Sequence, residues 1–165
     1  MEYFDVVDIN RKNLNYTKNR GDKLLDNEYN VGVELWCFNN KSLLLTQRSK
    51  NKSHPLKWEV PGGCSQVGES SIDTLIREIN EEIGITLKEN EVIFIDTMLY
   101  KKQFVDIYKT DKKIDISNIE LQEDEVCNIK FVNKKEFEKM IQNSQIVPSV
   151  IKRYELIKDK ICKDW

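Results

Sequence analysis

Histidine is almost missing: His54 is the single one among 165 residues. A metal centre built on several histidines of one chain is thereby excluded. The four cysteines, Cys37, Cys64, Cys127 and Cys162, are scattered and form no CxxC pair, which argues against a zinc knuckle. Thiols of this kind predict a reduced, cytoplasmic protein. Long apolar runs are lacking, and the opening MEYFDVVD is acidic where a signal would be basic and then apolar. Neither a membrane span nor export is predicted. A dominant charge is lacking too. The net charge of -2 gives no general attraction to a nucleic-acid polymer or an anionic membrane, so phosphate must be held by a local arrangement.

What is present is an ordinary globular composition, 39% apolar and 33% charged, with no internal repeat and no low-complexity linker. The length suits a single domain over residues 1–165 with one sizeable core. Tyr3 to Ile9 reads as a strand, Asn10 to Asn13 as a turn, and the polar stretch Leu14 to Glu28 as loop-like. Val31 to Phe38 and Ser42 to Gln47 read as a strand pair around Asn39-Asn40-Lys41, because asparagine tolerates positive φ. A helix follows over Ser71 to Ile83, with Gly84 as its stop. Val92 to Leu99, Phe104 to Tyr108 and Val126 to Val132 read as strands, and Lys134 to Gln142 and Pro148 to Cys162 as helices. The interleaving predicts a mixed α/β fold.

The helix carries the chemistry. Ser70 and Asp73 form a capping start signal. At about 100° per residue, Ile72, Leu75, Ile76, Ile79 and Ile83 share one stripe that must face a core, while Glu78, Glu81 and Glu82 gather on the other side. Neighbouring carboxylates repel, and in a cleft the repulsion and desolvation raise their pKa values unless a cation intervenes. Hard oxygen ligands favour Mg²⁺, with Mn²⁺ as a substitute. The string REINEE alone would favour the plainer reading, a solvated acidic face on a surface helix.

The surrounding residues decide between the two. Gly63, Glu69, Arg77-Glu78-Ile79, Glu81-Glu82 and Gly84-Ile85 match every fixed position of the Nudix box over residues 63–85. A chance match should occur in fewer than about one in ten million chains of this size. The chain therefore resembles the Nudix hydrolases, which implies the Nudix fold, a mixed β-sheet sandwiched between helices. The resemblance implies metal ligation by Glu78, Glu81 and Glu82, often with the carbonyl of Gly62, and box roles for Glu69 and Arg77. On physical grounds Gly62 and Gly63 permit close backbone approach, Glu69 sits where the helix dipole favours an acid, and Arg77 can pair with Glu81 or with Glu69.

The stretch LLLTQRSKNKSHPLKWEVPGG resembles the branch containing isopentenyl-diphosphate isomerase and its hydrolase relatives. That likeness implies diphosphate binding by Arg48 and Lys52, and puts Trp58 in its usual place before the glycine turn. The isomerase itself is disfavoured. Its catalytic cysteine position is taken by Gly62, Asn30 stands where relatives have a histidine, and a three-histidine site cannot be built. Glu125, in the acidic turn before the strand at Val126, is a further candidate for a ligand or water-activating base. His54 reads as a surface residue, Cys64 as a packed thiol, and Tyr100, Phe104 and Tyr108 as core residues with a base-stacking role as the alternative.

The resulting expectation is a pyrophosphohydrolase for a small diphosphate, in particular a nucleoside diphosphate derivative. One to three Mg²⁺ ions would neutralise charge, and Glu81 or Glu125 would take a proton from the attacking water. An isomerase-like enzyme and a nucleotide-binding module without turnover are the alternatives. A homodimer is left open.

Overall fold

The computed structural model describes residues 2–165. The chain opens with an antiparallel hairpin of β1 (Tyr3–Val7) and β2 (Asn13–Asn19). The hairpin turn is closed by Asp8, whose Oδ1 accepts from the N–H groups of Asn10 and Lys12, both at 2.9 Å. Here the sequence reading is corrected, because residues 14–19 are strand, not loop. β2 is mostly exposed, so no apolar alternation marks it, and backbone pairing with β1 alone defines it.

The remaining elements are β3 (Asn30–Asn39), β4 (Ser42–Arg48), β5 (Trp58–Glu59), β6 (Gly62–Cys64), α1 (Ser71–Ile83), β7 (Ile93–Tyr100), β8 (Gln103–Thr110), β9 (Val126–Asn133), α2 (Lys134–Gln142) and α3 (Pro148–Ile157). They build a mixed sheet along the path β5-β4-β3-β8-β7, with β6 beside β3 and β9 beside β4. β3 and β8 run parallel, and the other pairs are antiparallel. β3 changes partner along one edge: Gly32 to Glu34 pair with β6, and Phe38 and Asn39 pair with β4.

β3 is buried on both faces, and its side chains alternate between two cores. Val33, Leu35 and Cys37 pack with Leu75, Ile79 and Ile83 of α1. Trp36 and Phe38 pack with Phe137 and Met140 of α2 and with Val150, Tyr154 and Ile157 of α3. The Trp36 ring meets Phe137 edge-on at 6.0 Å and stacks on Tyr154 at 5.9 Å. The fold is thus an α/β/α sandwich. Burial of each large apolar side chain contributes about 1.5–3 kcal/mol, enough to fix the orientation of α1 against the sheet.

α3 ends at Ile157, five residues before the expected Cys162. The tail turns so that Trp165 folds back onto Phe38 at 5.1 Å and Phe137 at 5.6 Å, which a continued helix would prevent. Among the described residues, no helix is long and apolar enough to cross a membrane.

Candidate active site

α1 is held at both ends by its own sequence. Ser70 Oγ accepts from the Asp73 N–H at 3.2 Å, and Gly84 adopts the left-handed conformation, φ 65°, while its N–H donates to the Asn80 carbonyl at 2.8 Å. Between these ends the acids do not share one face. Glu78 and Glu82 lie in a buried row with Thr74, whereas the Glu81 side chain is 49% exposed. The sequence reading of a single acidic flank is refined here: two carboxylates go inward to β6 and one goes outward.

The inward pair depends on two glycines. The Glu78 carboxylate lies so close to Gly63 that a Cβ there would come within 2.1–2.3 Å of its carboxyl atoms. A Cβ on Gly62 would come 2.2 Å from the Val33 carbonyl oxygen. The Gly62 N–H donates to Glu82 Oε2 at 3.0 Å. Burial pushes the Glu78 carboxyl up, and pushes that of Glu82, only 2% exposed, up to about 8.

Arg77 joins Glu69, Glu78 and Glu81. Its Nε donates to Glu69 Oε1 at 2.6 Å and its Nη2 to Glu69 Oε2 at 2.9 Å, while Nη1 reaches Glu78 at 3.0 Å and Glu81 at 2.8 Å. Both expected pairings therefore occur at once. Nη2 also donates to the Cys64 carbonyl at 3.0 Å, tying α1 to β6. Burial opposes the charge of Glu69, but the hydrogen bonds from Arg77 and from the Gln66 N–H outweigh it and hold the carboxyl below its usual range.

Arg48 and Lys52 have different fates. Arg48 Nη1 bonds both Glu59 oxygens at 2.7 Å, and its Nε and Nη2 bond Ser53, so it scaffolds the loop after β4. Lys52 Nζ lies 2.6 Å from Glu125 Oε2 and 3.7 Å from Glu82 Oε1. It brings Glu125 to the box. Burial works against the Glu125 charge, and Lys52 more than offsets it, so this carboxyl stays below its usual range.

A cavity of about 480 Å³ opens beside Gly62 and Gly63 and includes Lys52, His54, Tyr100 and Gln103 in its walls. His54 is exposed at the rim. Trp58, Phe104 and Tyr108 are buried, and Tyr100 faces the cavity with Lys101 and Lys152 over its ring, at 5.6 and 5.0 Å. The Cys64 thiol is pushed up by burial, which suits a packed residue and not a nucleophile. Sequence reasoning missed the ion pair of Glu34 and Arg153 in the cavity wall. The signal was a charged residue inside the otherwise buried strand VGVELWCF.

Among the described residues, no three histidine, cysteine or acidic side chains are gathered as one metal-holding group. Ion pairs explain the spread, since Arg77 draws Glu81 outward and Lys52 stands between Glu82 and Glu125. The donor chemistry nonetheless fits a hard divalent cation. Two buried carboxylates sit beside a glycine backbone with their acidity weakened by burial, and Glu82 has no cation closer than Lys52 at 3.7 Å.

Comparisons with known proteins bear on the family and the fold. The NUDIX domain family model matches residues 28–153. An uncharacterized Nudix hydrolase of Listeria innocua is 30% identical over 151 residues, covering 90% of this chain and 89% of that protein. The crystal structure of DR0079 from Deinococcus radiodurans superposes with a TM-score of 0.73 at 18% identity, covering 88% of this chain and 92% of the other. The Nudix domain of Shewanella oneidensis NrtR, solved in complex with ADP ribose, has a TM-score of 0.65 at 16% identity, covering 89% and 94%. With an intact box on the fold those relatives share, the chain belongs to the Nudix hydrolase family.

Proposed function

We propose that the protein is a Mg²⁺-dependent pyrophosphohydrolase that cleaves the diphosphate linkage of a nucleoside diphosphate derivative. Nudix hydrolases generally use divalent cations, and the family acts on nucleoside diphosphate derivatives. The observation that carries the reading is the pair of buried acids, Glu78 and Glu82, packed against Gly62 and Gly63 at the edge of a cavity that Lys52 also lines.

Glu78, Glu81 and Glu82, with the Gly62 carbonyl, would hold the cation; Mn²⁺ would substitute. Bound there, it would neutralise phosphoryl oxygens and make a water more acidic. Arg77 orients Glu78 and Glu81 and joins them to Glu69. Lys52 exchanges its carboxylate partners for a phosphoryl oxygen of the incoming substrate. Glu81 or Glu125 accepts the proton of the attacking water. The new P–O bond forms as the anhydride P–O bond breaks, leaving two phosphorylated products. Arg48 shapes the loop that carries Lys52.

We read residues 1–165 as one domain, because the N-terminal hairpin reaches the box loop: the Gly68 N–H donates to Asp5 Oδ2 at 2.7 Å and the Val67 N–H to the Tyr3 carbonyl at 3.2 Å. The four free cysteines support a cytoplasmic setting. The test is a panel of diphosphate compounds assayed with Mg²⁺ for released phosphate or nucleoside monophosphate. Turnover must require the cation and must be lost in Glu81→Gln or Glu82→Gln with the fold intact. Unchanged turnover in both variants would rule the site out.

A further inference from the structure

The cavity contains a polar anchor that the hydrolytic reading leaves unused. Arg153 of α3 lines it, although only 9% of the residue is exposed. Its Nε donates to the buried carboxylate of Glu34, which also accepts from Trp36 Nε1 at 2.9 Å. Among the described residues nothing accepts from either Nη group of Arg153. Neither Nη is among the fully enclosed atoms without a partner, so both open onto the cavity that the side chain lines. A guanidinium fixed through Nε presents its Nη edge as a rigid fork, a shape that matches paired oxygens of a phosphoryl group.

The shared cavity sets the location relative to the box. Glu34 stands opposite Gly62 in the β3–β6 ladder and turns its side chain to α3 and Arg153, whereas the Gly62 N–H donates to Glu82 of α1. Lys52, Gly62 and Arg153 all line the one cavity. A molecule whose diphosphate rests near Lys52 can therefore extend through that cavity to the fork.

Charge selects what binds there. Six cationic side chains line the cavity, Arg20, Arg48, Lys52, Lys101, Lys102 and Arg153, against two carboxylates, Glu34 and Glu59. Both carboxylates are already paired, with Arg153 and Arg48. Arg20, Lys52 and Lys102 also have carboxylate partners, Glu2, Glu125 and Asp26. Among the described residues the uncommitted positive groups are therefore Lys101 and the open edge of Arg153, and they favour an anion over a neutral base or sugar edge.

We propose that Arg153 is a specificity-determining residue that binds a phosphoryl group carried by the substrate beyond the scissile diphosphate. Its role in turnover rests on the hydrolytic reading above, whereas its role in binding does not. Two measurements test it. In the first, metal-free protein is titrated with inorganic phosphate and followed by ³¹P NMR. Binding by the wild type, weakened about tenfold or more in Arg153→Lys, is expected. The lysine variant keeps a cation beside Glu34, and its melting temperature checks that it folds.

In the second, Mg²⁺-loaded protein is assayed on matched diphosphates. ADP-ribose is set against 2′-phospho-ADP-ribose, and ribose 1-diphosphate against 5-phosphoribosyl 1-diphosphate. The wild type should favour the phosphorylated member of at least one pair by about tenfold in kcat/KM. Arg153→Lys should erase that preference through KM, leaving kcat and the plain partner unchanged. Phosphate binding that ignores the substitution, a wild type with no preference in either pair, or equal slowing of both members would overturn the proposal. If the wild type cleaves none of these compounds, the hydrolytic reading is in trouble, while the phosphate titration still decides for or against Arg153.

Discussion

Glu34 and Glu82 are both glutamates buried to about the same degree, on either side of one rung of β-ladder, yet they are in opposite situations. Burial pushes both carboxyls upward. Glu34 has an arginine nitrogen directly against it and an indole N–H on its other oxygen. Glu82 has a backbone N–H at 3.0 Å and a lysine only at 3.7 Å, and that lysine lies closer to Glu125. The first acid is neutralised by the fold. The second is left short of positive charge, which a protein tolerates where a ligand supplies it.

The sharpest way to break this contrast is to remove the two charges separately. Glu82→Gln should lower turnover with Mg²⁺ by about a thousandfold or more while leaving the metal-free melting temperature unchanged near pH 4.5 and raising it above pH 8, where a buried charge would otherwise form. Equal loss of stability and activity would mean that Glu82 is structural. Glu34→Gln strands Arg153 and should cost about 3–5 kcal/mol in urea unfolding. A change below about 1 kcal/mol would show that the pair is dispensable to the fold.

Acidity gives a third handle. The Glu82 carboxyl is raised from 4.5 to about 8 on folding, so its protonated form is favoured in the native state. The stability it contributes is complete below pH 4.5 and disappears as the pH climbs through 8. Metal-free protein should therefore lose a few kcal/mol across that window. Saturating Mg²⁺ should restore stability at the alkaline end and release protons on binding. Melting curves at pH 5 and pH 8, with and without the cation, read this directly, and a flat metal-free profile would contradict it. The smallest effect separates Arg48 from Lys52. Lys52→Met should tighten Mg²⁺ binding and raise KM, whereas Arg48→Met should loosen the loop at a cost of about 1 kcal/mol with little change in metal affinity. Isothermal titration with Mg²⁺ distinguishes the two variants.

The helix at Ser71–Ile83 was legible because period, cap and stop all agree within thirteen residues. The three-layer sandwich was legible for a similar reason, since buried strands and amphipathic helices follow one another along the chain. β2 was not legible, because neither of its faces is buried and its pairing is carried by the backbone. The short strands β5 and β6 flank Val60-Pro61 and bury too few side chains to leave a pattern. Within the candidate site, the box spacing identified the acids but not their orientations. Whether Glu81 or Glu82 turns inward depends on where Gly62 meets α1, a contact between segments twenty residues apart. Arg48 and Lys52 looked equivalent in sequence, and Glu59 and Ser53 separate them by occupying Arg48. The partnership of Glu34 and Arg153 spans 119 positions, beyond the reach of any local pattern.

Gly63 has a consequence for how such a protein can change. With the Glu78 carboxylate resting against it, even an alanine would have to push that acid out of its place, and a Cβ on the neighbouring Gly62 would run into the backbone of Val33 and Glu34. The strand through Gly62 and Gly63 is thus closed to ordinary side-chain variation. New chemical tastes in descendants of this chain would have to be acquired at the rim, among the residues after Arg48 and around the hairpin at Lys101 and Lys102, where an altered side chain meets water first.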